Sequence, residues 1–497
     1  MFLAGFITVL TNPVTMAIMV ACVIVGIIFG AIPGLSATMA IAMALPMTYS
    51  MTPFNGVAAM IGLYIGGISG GLISAILLNI PGTPSSIATC FDGRPLALKG
   101  EAGKALGIGI FYSFIGTILS IFALVAIAPL LADMAIKFGP FEYCSITIFA
   151  LTLMISLTGD SLVKGLMTGI FGLMVATVGL APVDNAARFT FGTVDLKSGF
   201  DILTVLVGLY AISEIFSNAR KPEEIKDSQF DAEVKLKGLG FSWEEFVSQK
   251  YNCLRSALIG IGIGILPGIG GGTSNILAYS VAKDQSKYPE KFGTGIIDGV
   301  VASETANNAT IGGAIIPLLT LGIPGDSVTA MMLGGLIIHG VTPGPLIFEQ
   351  HSEIVYGIYA MMVIASFLML FLEFGGLRIF IKVLKVPKCY LLPMIFVLCC
   401  IGAYGLNSRI FDMWGTLLFG VLGYILLKLD FPLPPMILGF ILGGTMELNL
   451  RRGLMSSQGD LSPFYTHPIS ALFLVFGLLS VLISGYRRYK KAGHAAL

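Results

Sequence analysis

The first 91 residues contain no Asp, Glu, Lys, Arg or His, and the first charged side chain is Asp92. A soluble domain cannot be built from such a stretch, because its surface needs charge and its helices need a polar face. The solvent that suits it is hydrocarbon. The rest of the 497-residue chain agrees. Only 11% of residues are charged and 55% are apolar, whereas soluble proteins carry roughly 25% charged residues. The mean hydropathy is +0.89. A net charge of +1 supplies no field for holding nucleic acid. A cytosolic enzyme, a nucleic-acid binder and a disordered regulator are excluded. The seven cysteines form no C-x-x-C pair and sit mostly in apolar stretches, where they read as small buried hydrophobes.

The fold class expected is an all-α polytopic membrane protein of about 12 transmembrane helices. Apolar runs of spanning length fall near 14–32, 56–80, 103–131, 141–158, 160–181 and 200–218. They resume near 255–281, 294–320, 327–342, 354–373, 391–406, 411–428, 432–448 and 468–486. The run from Val14 to Ile32 has no basic region before it and reads as a retained span, not a removed signal. One polar stretch, 219–252, interrupts the series and reads as a cytoplasmic linker. The division expected is therefore a first repeat (1–218), the linker (219–252), the core of a second repeat (253–373) and C-terminal helices with a tail (374–497). Basic clusters at Arg378, Lys382, Lys385 and Lys388, and at Arg487, Arg488, Lys490 and Lys491, are separated by four spans. Both belong on the cytoplasmic side, C-terminus included. Arg451 and Arg452 then fall outside.

Four aliphatic-Pro-Gly breaks organise the apolar runs. They are Ile32-Pro33-Gly34, Ile80-Pro81-Gly82, Leu266-Pro267-Gly268 and Ile323-Pro324-Gly325. The prolines are 48 residues apart in the first half and 57 in the second. Paired order of this kind reads as internal duplication, with inverted repeats preferred. Proline removes a helix hydrogen bond and glycine permits a turn, so each helix stops inside the membrane. Non-helical backbone at that depth requires burial in protein or a wet cavity. The half-helix that follows offers free N–H groups and a positive dipole end to an anion. Candidate substrate residues at the breaks are Gly34, Ser36, Thr38, Gly82, Thr83, Ser85, Ser86, Gly268, Gly270, Gly271, Thr273, Ser274 and Asn275. A plain proline kink is the structural alternative.

Glu304, Asn307 and Asn308 share a helix face by their spacing. Oxygen donors of this kind suit sodium, although interhelical hydrogen bonding would use the same groups. Gly325 and Asp326 join them as candidate cation ligands, Asp326 being equally placed to cap the next helix. His339 and His351 read as packing or interfacial residues. Arg94, Lys99, Glu101 and Lys104 read as a solvent-facing loop. Gly26-x-x-x-Gly30 and Gly66-x-x-x-Gly70 suggest close helix packing.

The chain contains no G-x-x-x-x-G-K-[ST], no H-E-x-x-H and no dinucleotide fingerprint in a βαβ setting, and its one G-x-S-x-G, residues 67–71, lies inside a continuous apolar run and not at a nucleophile elbow. No catalytic residue, cofactor or transition metal is expected. Transport without covalent chemistry fits best. An intramembrane enzyme would need paired carboxylates, where Glu304 is the main one on offer, and a channel would conduct without an ion gradient.

Several motifs resemble the large permease subunit of the tripartite tricarboxylate transporters, the TctA family. They are the run 30–35 (GAIPGL), the run 79–84 (NIPGTP), Phe91 to Pro95 with Gly100 to Gly107, Leu266 to Gly270, and Ala306 to Asn308 with Leu321 to Gly325. The resemblance covers essentially the whole chain. It implies a secondary transporter of about 12 spans in a bacterial inner membrane. It implies a small four-span membrane subunit and a periplasmic solute-binding protein as partners, and it leaves room for a homodimer. It implies symport of citrate-like tricarboxylates or dicarboxylates with sodium as the coupling ion. The alternative is a stand-alone sodium:carboxylate symporter that needs no binding protein. The resemblance also carries Ser36, Thr38 and Thr273 over as substrate-site elements.

Overall fold

The computed structural model describes residues 2–157, 161–219, 241–383 and 388–495. Most of the expected linker 219–252, and Lys385, lie outside the described residues. The chain is helical almost throughout. The helices are α1 Phe2–Thr11, α2 Pro13–Ala31, α3 Ala37–Thr48, α4 Pro53–Leu78, α5 Ile87–Leu96, α6 Ala102–Ala135, α7 Pro140–Leu157 and α8 Leu162–Ala176. A two-stranded antiparallel hairpin, β1 Gly179–Leu180 with β2 Ala187–Arg188, follows. Then come α9 Ile202–Leu206, α10 Ser213–Ala219, α11 Trp243–Ser248, α12 Lys250–Ile265, α13 Gly270–Asp284, α14 Ile297–Leu321 and α15 Ser327–Ile338. The series ends with α16 Ile347–Gln350, α17 Ser352–Val383, α18 Lys388–Asn407, α19 Ile410–Lys428, α20 Leu433–Ser456, α21 Pro463–Thr466 and α22 Pro468–Ala495.

Among the described residues, eight helical segments are long and apolar enough to cross a bilayer. Five shorter apolar helices accompany them, including Ala37–Thr48 and Ser327–Ile338. These two are the half-helices that follow the first and last Pro-Gly breaks. α3 was absent from the spans expected from hydropathy, because its 12 residues fall short of a crossing. Helix starts follow ordinary capping chemistry. The Asn12 side chain accepts from the N–H groups of Val14 and Thr15, with Pro13 at the first helical position.

The chain divides into two compact units. The first comprises Met1–Ala132, Glu214–Ile265 and Gly270–Gly402. The second comprises Asp133–Ser213, Leu266–Ile269 and Ala403–Leu497. In the second unit, Phe141, Cys144 and Phe464 form a small core. Arg451, which the charge rule left as an exception, is ion-paired there with Asp184 at 3.1 Å and Glu447 at 2.9 Å. Arg188 also binds Glu447, at 2.6 Å.

The first unit is held together by backbone-to-backbone helix contact. A Cβ on Gly26 would lie 2.7 Å from the Leu63 carbonyl oxygen, and one on Gly30 would lie 2.2 Å from that of Gly67. Gly66 and Gly70 approach α2 as closely. Only glycine lets α2 and α4 pack this tightly. The same contacts recur 234 and 243 residues further on. A Cβ on Gly260 would lie 2.3 Å from the Ala306 carbonyl oxygen, and one on Gly264 would lie 2.7 Å from that of Thr310. The correspondence extends past the helices: Gly82 packs on Gly30 O, and Gly325 on Gly264 O. The chain turns also match. Gly34 and Gly268 have φ of 87° and 73°, and Asn79 and Gly322 have φ of 59° and 70°. Thus α2, α3, α4 and α5 correspond to α12, α13, α14 and α15.

The charged segment after the second break is helical and not a loop; Lys99 and Glu101 are exposed as expected, while Arg94 and Lys104 are engaged. Arg94 lies in α5 and donates to the Leu77 carbonyl at the C-terminal end of α4, where helix carbonyls are unpaired. Lys104 pairs with Glu245, whose own side chain completes a capping box with Ser242 at α11.

Candidate substrate and ion site

All four breaks interrupt helices. α2 ends at Ile32, and Ser36 restarts the chain as N-cap of α3 by accepting from Met39 N at 3.3 Å. α4 ends at Asn79, and a 3-10 turn at Pro84–Ser86 leads into α5. α12 ends at Ile265 and α13 begins at Gly270. α14 ends at Gly322, and Asp326 caps α15.

Residues flanking the breaks meet in two crossovers within the first unit, to which the third break contributes from Gly270 onward. At the first crossover, Thr38 and Ser327 share a hydrogen bond of 3.0 Å. Tyr64 donates to Asp326 at 2.6 Å, and Asp326 accepts from Thr329 N at 2.7 Å while Thr329 caps it in return. Ser36 donates to Glu214 at 3.0 Å. Asn218 donates to Gly34 O at 2.6 Å. At the second crossover, a Cβ on Gly271 would lie 2.6 Å from Asn307 Oδ1 and 3.0 Å from Ser85 Cβ. One on Gly272 would lie 3.3 Å from Pro84 O. Thr83 hydrogen-bonds both Ser85, at 2.9 Å, and Ser86, at 3.0 Å. Gly270 bridges the two crossovers, its Cβ position lying 3.1 Å from Asp326 Cβ.

The structure therefore brings together Gly34, Ser36, Thr38, Gly82, Thr83, Ser85, Ser86, Gly270, Gly271 and Asp326. Ser274 and Asn275 are fully buried and serve the frame: Ser274 bonds Thr310 at 2.7 Å, and Asn275 accepts from Ala88 N at 2.7 Å. Thr273 is exposed, and among the described residues no hydrogen bond joins it to this set. Gly268 falls in the second unit, where its Cβ position abuts Met154.

Glu304 is fully buried on α14. It accepts from Thr89, from Ser113 at 3.0 Å and from Asn308 at 3.4 Å. Three donors satisfy its charge without a resident cation side chain. Asn308 Oδ1 has no partner and is an oxygen available beside that carboxylate. Asn307 neighbours Glu304, yet neither polar atom of its amide reaches hydrogen-bond geometry. Gly325 is packed against Ala314 and Gly264. Among the described residues no hydrogen bond links Glu304 to Asp326.

Sequence reasoning passed over several polar groups in the same unit. Tyr64, Glu214 and Asn218 contribute to the first crossover. Glu373 on α17 is fully buried, accepts from Ser69 at 2.8 Å and has an unpartnered Oε1. Asp92 is fully buried and accepts from the N–H groups of Gly293, Gly295 and Ile296 at 2.9, 2.7 and 3.0 Å. Its second oxygen accepts from Tyr279 at 2.8 Å. Tyr64 was legible in principle: with the two halves aligned on their second breaks, it stands opposite Asn307.

Comparison with known proteins bears on this geometry. The tripartite tricarboxylate transporter TctA family matches residues 16–438. A protein of Agrobacterium vitis, described as an uncharacterized 52.8 kDa protein in the TAR-I ttuC' 3' region, is 37% identical over 436 residues, or 87% of this chain and 86% of the relative. A second, described as an uncharacterized protein in the TAR-II ttuC' 3' region of the same organism, is 39% identical over 222 residues, covering 45% of this chain and 92% of the relative. No solved structure matches. A charge-poor, multi-span helical chain with paired helix breaks, matched from residue 16 to 438, belongs to the tripartite tricarboxylate transporter TctA family.

Proposed function

We propose that this chain is the membrane permease of a binding-protein-dependent secondary transporter that imports citrate-like tricarboxylates or dicarboxylates with sodium. The observation that carries this reading is the meeting of the interrupted helices in two adjoining buried polar crossovers. Half-helix N-termini supply positive potential, and Thr83, Ser85, Ser86, Ser36 and Thr38 supply neutral donors. Such a site holds a polyanion without an intramembrane arginine, weakly enough to release it. The sodium that offsets the cargo's charge is held at Glu304 with the Asn308 oxygen beside it, and Asp326 is a second carboxylate for a cation at the first crossover. The matched contacts of α2–α5 and α12–α15 support an internal duplication, which we read as an inverted repeat with access alternating by rigid movement of one part against another. The partners are a small four-span subunit and a periplasmic solute-binding protein. The setting is the bacterial inner membrane, with the C-terminus in the cytoplasm.

Reconstitution tests this. Proteoliposomes containing this chain, the small subunit and the binding protein take up labelled carboxylate saturably, and only with an inward sodium gradient. Uptake by this chain alone at the same rate contradicts the dependence on partners. Flux that ignores the gradient contradicts secondary transport.

A further inference from the structure

The two crossovers correspond residue by residue, yet they differ in charge. By the 243-residue offset, Tyr64 matches Asn307 and Asp326 matches Thr83. By the 234-residue offset, Thr38 matches Gly272, and the Thr38–Ser327 contact is repeated as Gly272–Pro84. At the first crossover the Asp326 carboxylate sits at the start of α15 and satisfies Tyr64. At the second, a hydroxyl stands in the carboxylate's position and an amide in the phenol's.

Asn307 is 1% exposed, and both ends of its amide lack hydrogen-bond partners. A buried amide left so is costly and calls for an explanation. The helix ends point the same way. The starts of α3 and α15 are already served by carboxylates, Glu214 through Ser36 and Asp326 directly. The 10-residue α5 and the 15-residue α13 have no acidic residue in their first turns, and Ser86 makes no side-chain cap at α5. These are the two helix starts that converge on Asn307.

We infer that one carboxylate group of the substrate binds at the second crossover, against Asn307, Thr83 and Ser85 and the start of α13, in the place that Asp326 holds at the first. The inference rests on the carboxylate reading above and removes Asn307 from the cation ligands. Rotation of the amide turns Nδ2 toward the anion. Glu304 lies one turn earlier on α14, so the anion is held only when a cation offsets that carboxylate. Cargo and ion are thereby made to bind together.

The decisive variant is Thr83→Asp, which writes the first crossover's carboxylate into the second. Thermal stabilisation of the full chain in detergent is measured with citrate, succinate and malate at fixed sodium. The wild-type chain is stabilised by at least one of the three. Thr83→Asp stays folded and loses that response, whereas Thr83→Asn weakens it by no more than about tenfold. Asn307→Leu weakens it by about tenfold or more. Equal responses from Thr83→Asp and Thr83→Asn overturn the location while leaving the carboxylate reading standing. Should Thr83→Asp fail to fold, an unaltered response in Asn307→Leu overturns it instead. A wild-type chain stabilised by none of the three overturns the carboxylate reading and this inference with it.

Discussion

Tyr64 on α4 and Asp326 at the start of α15, 262 residues apart in sequence, share a buried hydrogen bond of 2.6 Å. The bond ties a helix of the first half to a helix break of the second. Tyr64→Phe leaves one oxygen of a buried carboxylate short of a donor, at a cost of about 1–3 kcal/mol. The two groups act as a pair, so Tyr64→Phe and Asp326→Asn combine non-additively, with a coupling above about 0.5 kcal/mol. Unfolding of the two single variants and the double variant in detergent checks this, and strict additivity contradicts it.

Glycine at the helix contacts is a steric requirement. Gly30→Ala and Gly264→Ala each place a methyl group against a facing carbonyl, at 2.2 and 2.7 Å. Each is expected to lose at least about 3 kcal/mol, or to prevent accumulation of folded protein. Gly262 is on the same helix as Gly264, is exposed, and has nothing within 4 Å of its Cβ position. Gly262→Ala therefore changes stability by no more than about 1 kcal/mol, in the favourable direction. Melting temperatures of the three variants separate contact from propensity.

Asp92 clasps the segment before α14 with three N–H groups on one oxygen and Tyr279 on the other. Asp92→Ala removes the one fully buried acceptor that these four donors share. The expected loss is about 3 kcal/mol or more, with faster proteolysis across residues 286–296. Tyr279→Phe removes one of the four bonds and is expected to cost about 1–2 kcal/mol. Limited proteolysis and thermal melts of both variants check the order.

The membrane class and the helix breaks were legible because they depend on local physics. A charge-free stretch from Met1 to Phe91 has one compatible solvent, and Pro-Gly stops a helix wherever it stands. Pairing of the breaks was legible from their order, and hydroxyls beside them were reasonable site candidates. Which break meets which was not legible, since Thr38–Ser327 and Gly271–Asn307 are pairings of high sequence separation. Periodicity placed Glu304, Asn307 and Asn308 on one face and could not show that Asn307 turns toward α13 while Glu304 turns toward Thr89 and Ser113. Glu373 was overlooked because a single Glu near the end of an apolar run resembles an interfacial residue, whereas α17 extends to Val383 and buries it. Asp326 had two readings, and the structure shows it capping α15.

The site at the crossovers is tested most directly by counterflow of labelled citrate, succinate and malate at varied sodium, in proteoliposomes that also hold the small subunit and the binding protein, comparing the wild-type chain with Thr83→Val and with Thr273→Val, a change outside the crossovers. The account predicts saturable exchange that rises with sodium in the wild type. It predicts a loss of about tenfold or more in Thr83→Val. Undiminished exchange in Thr83→Val would contradict a carboxylate site built from these broken helices, whatever Thr273→Val does.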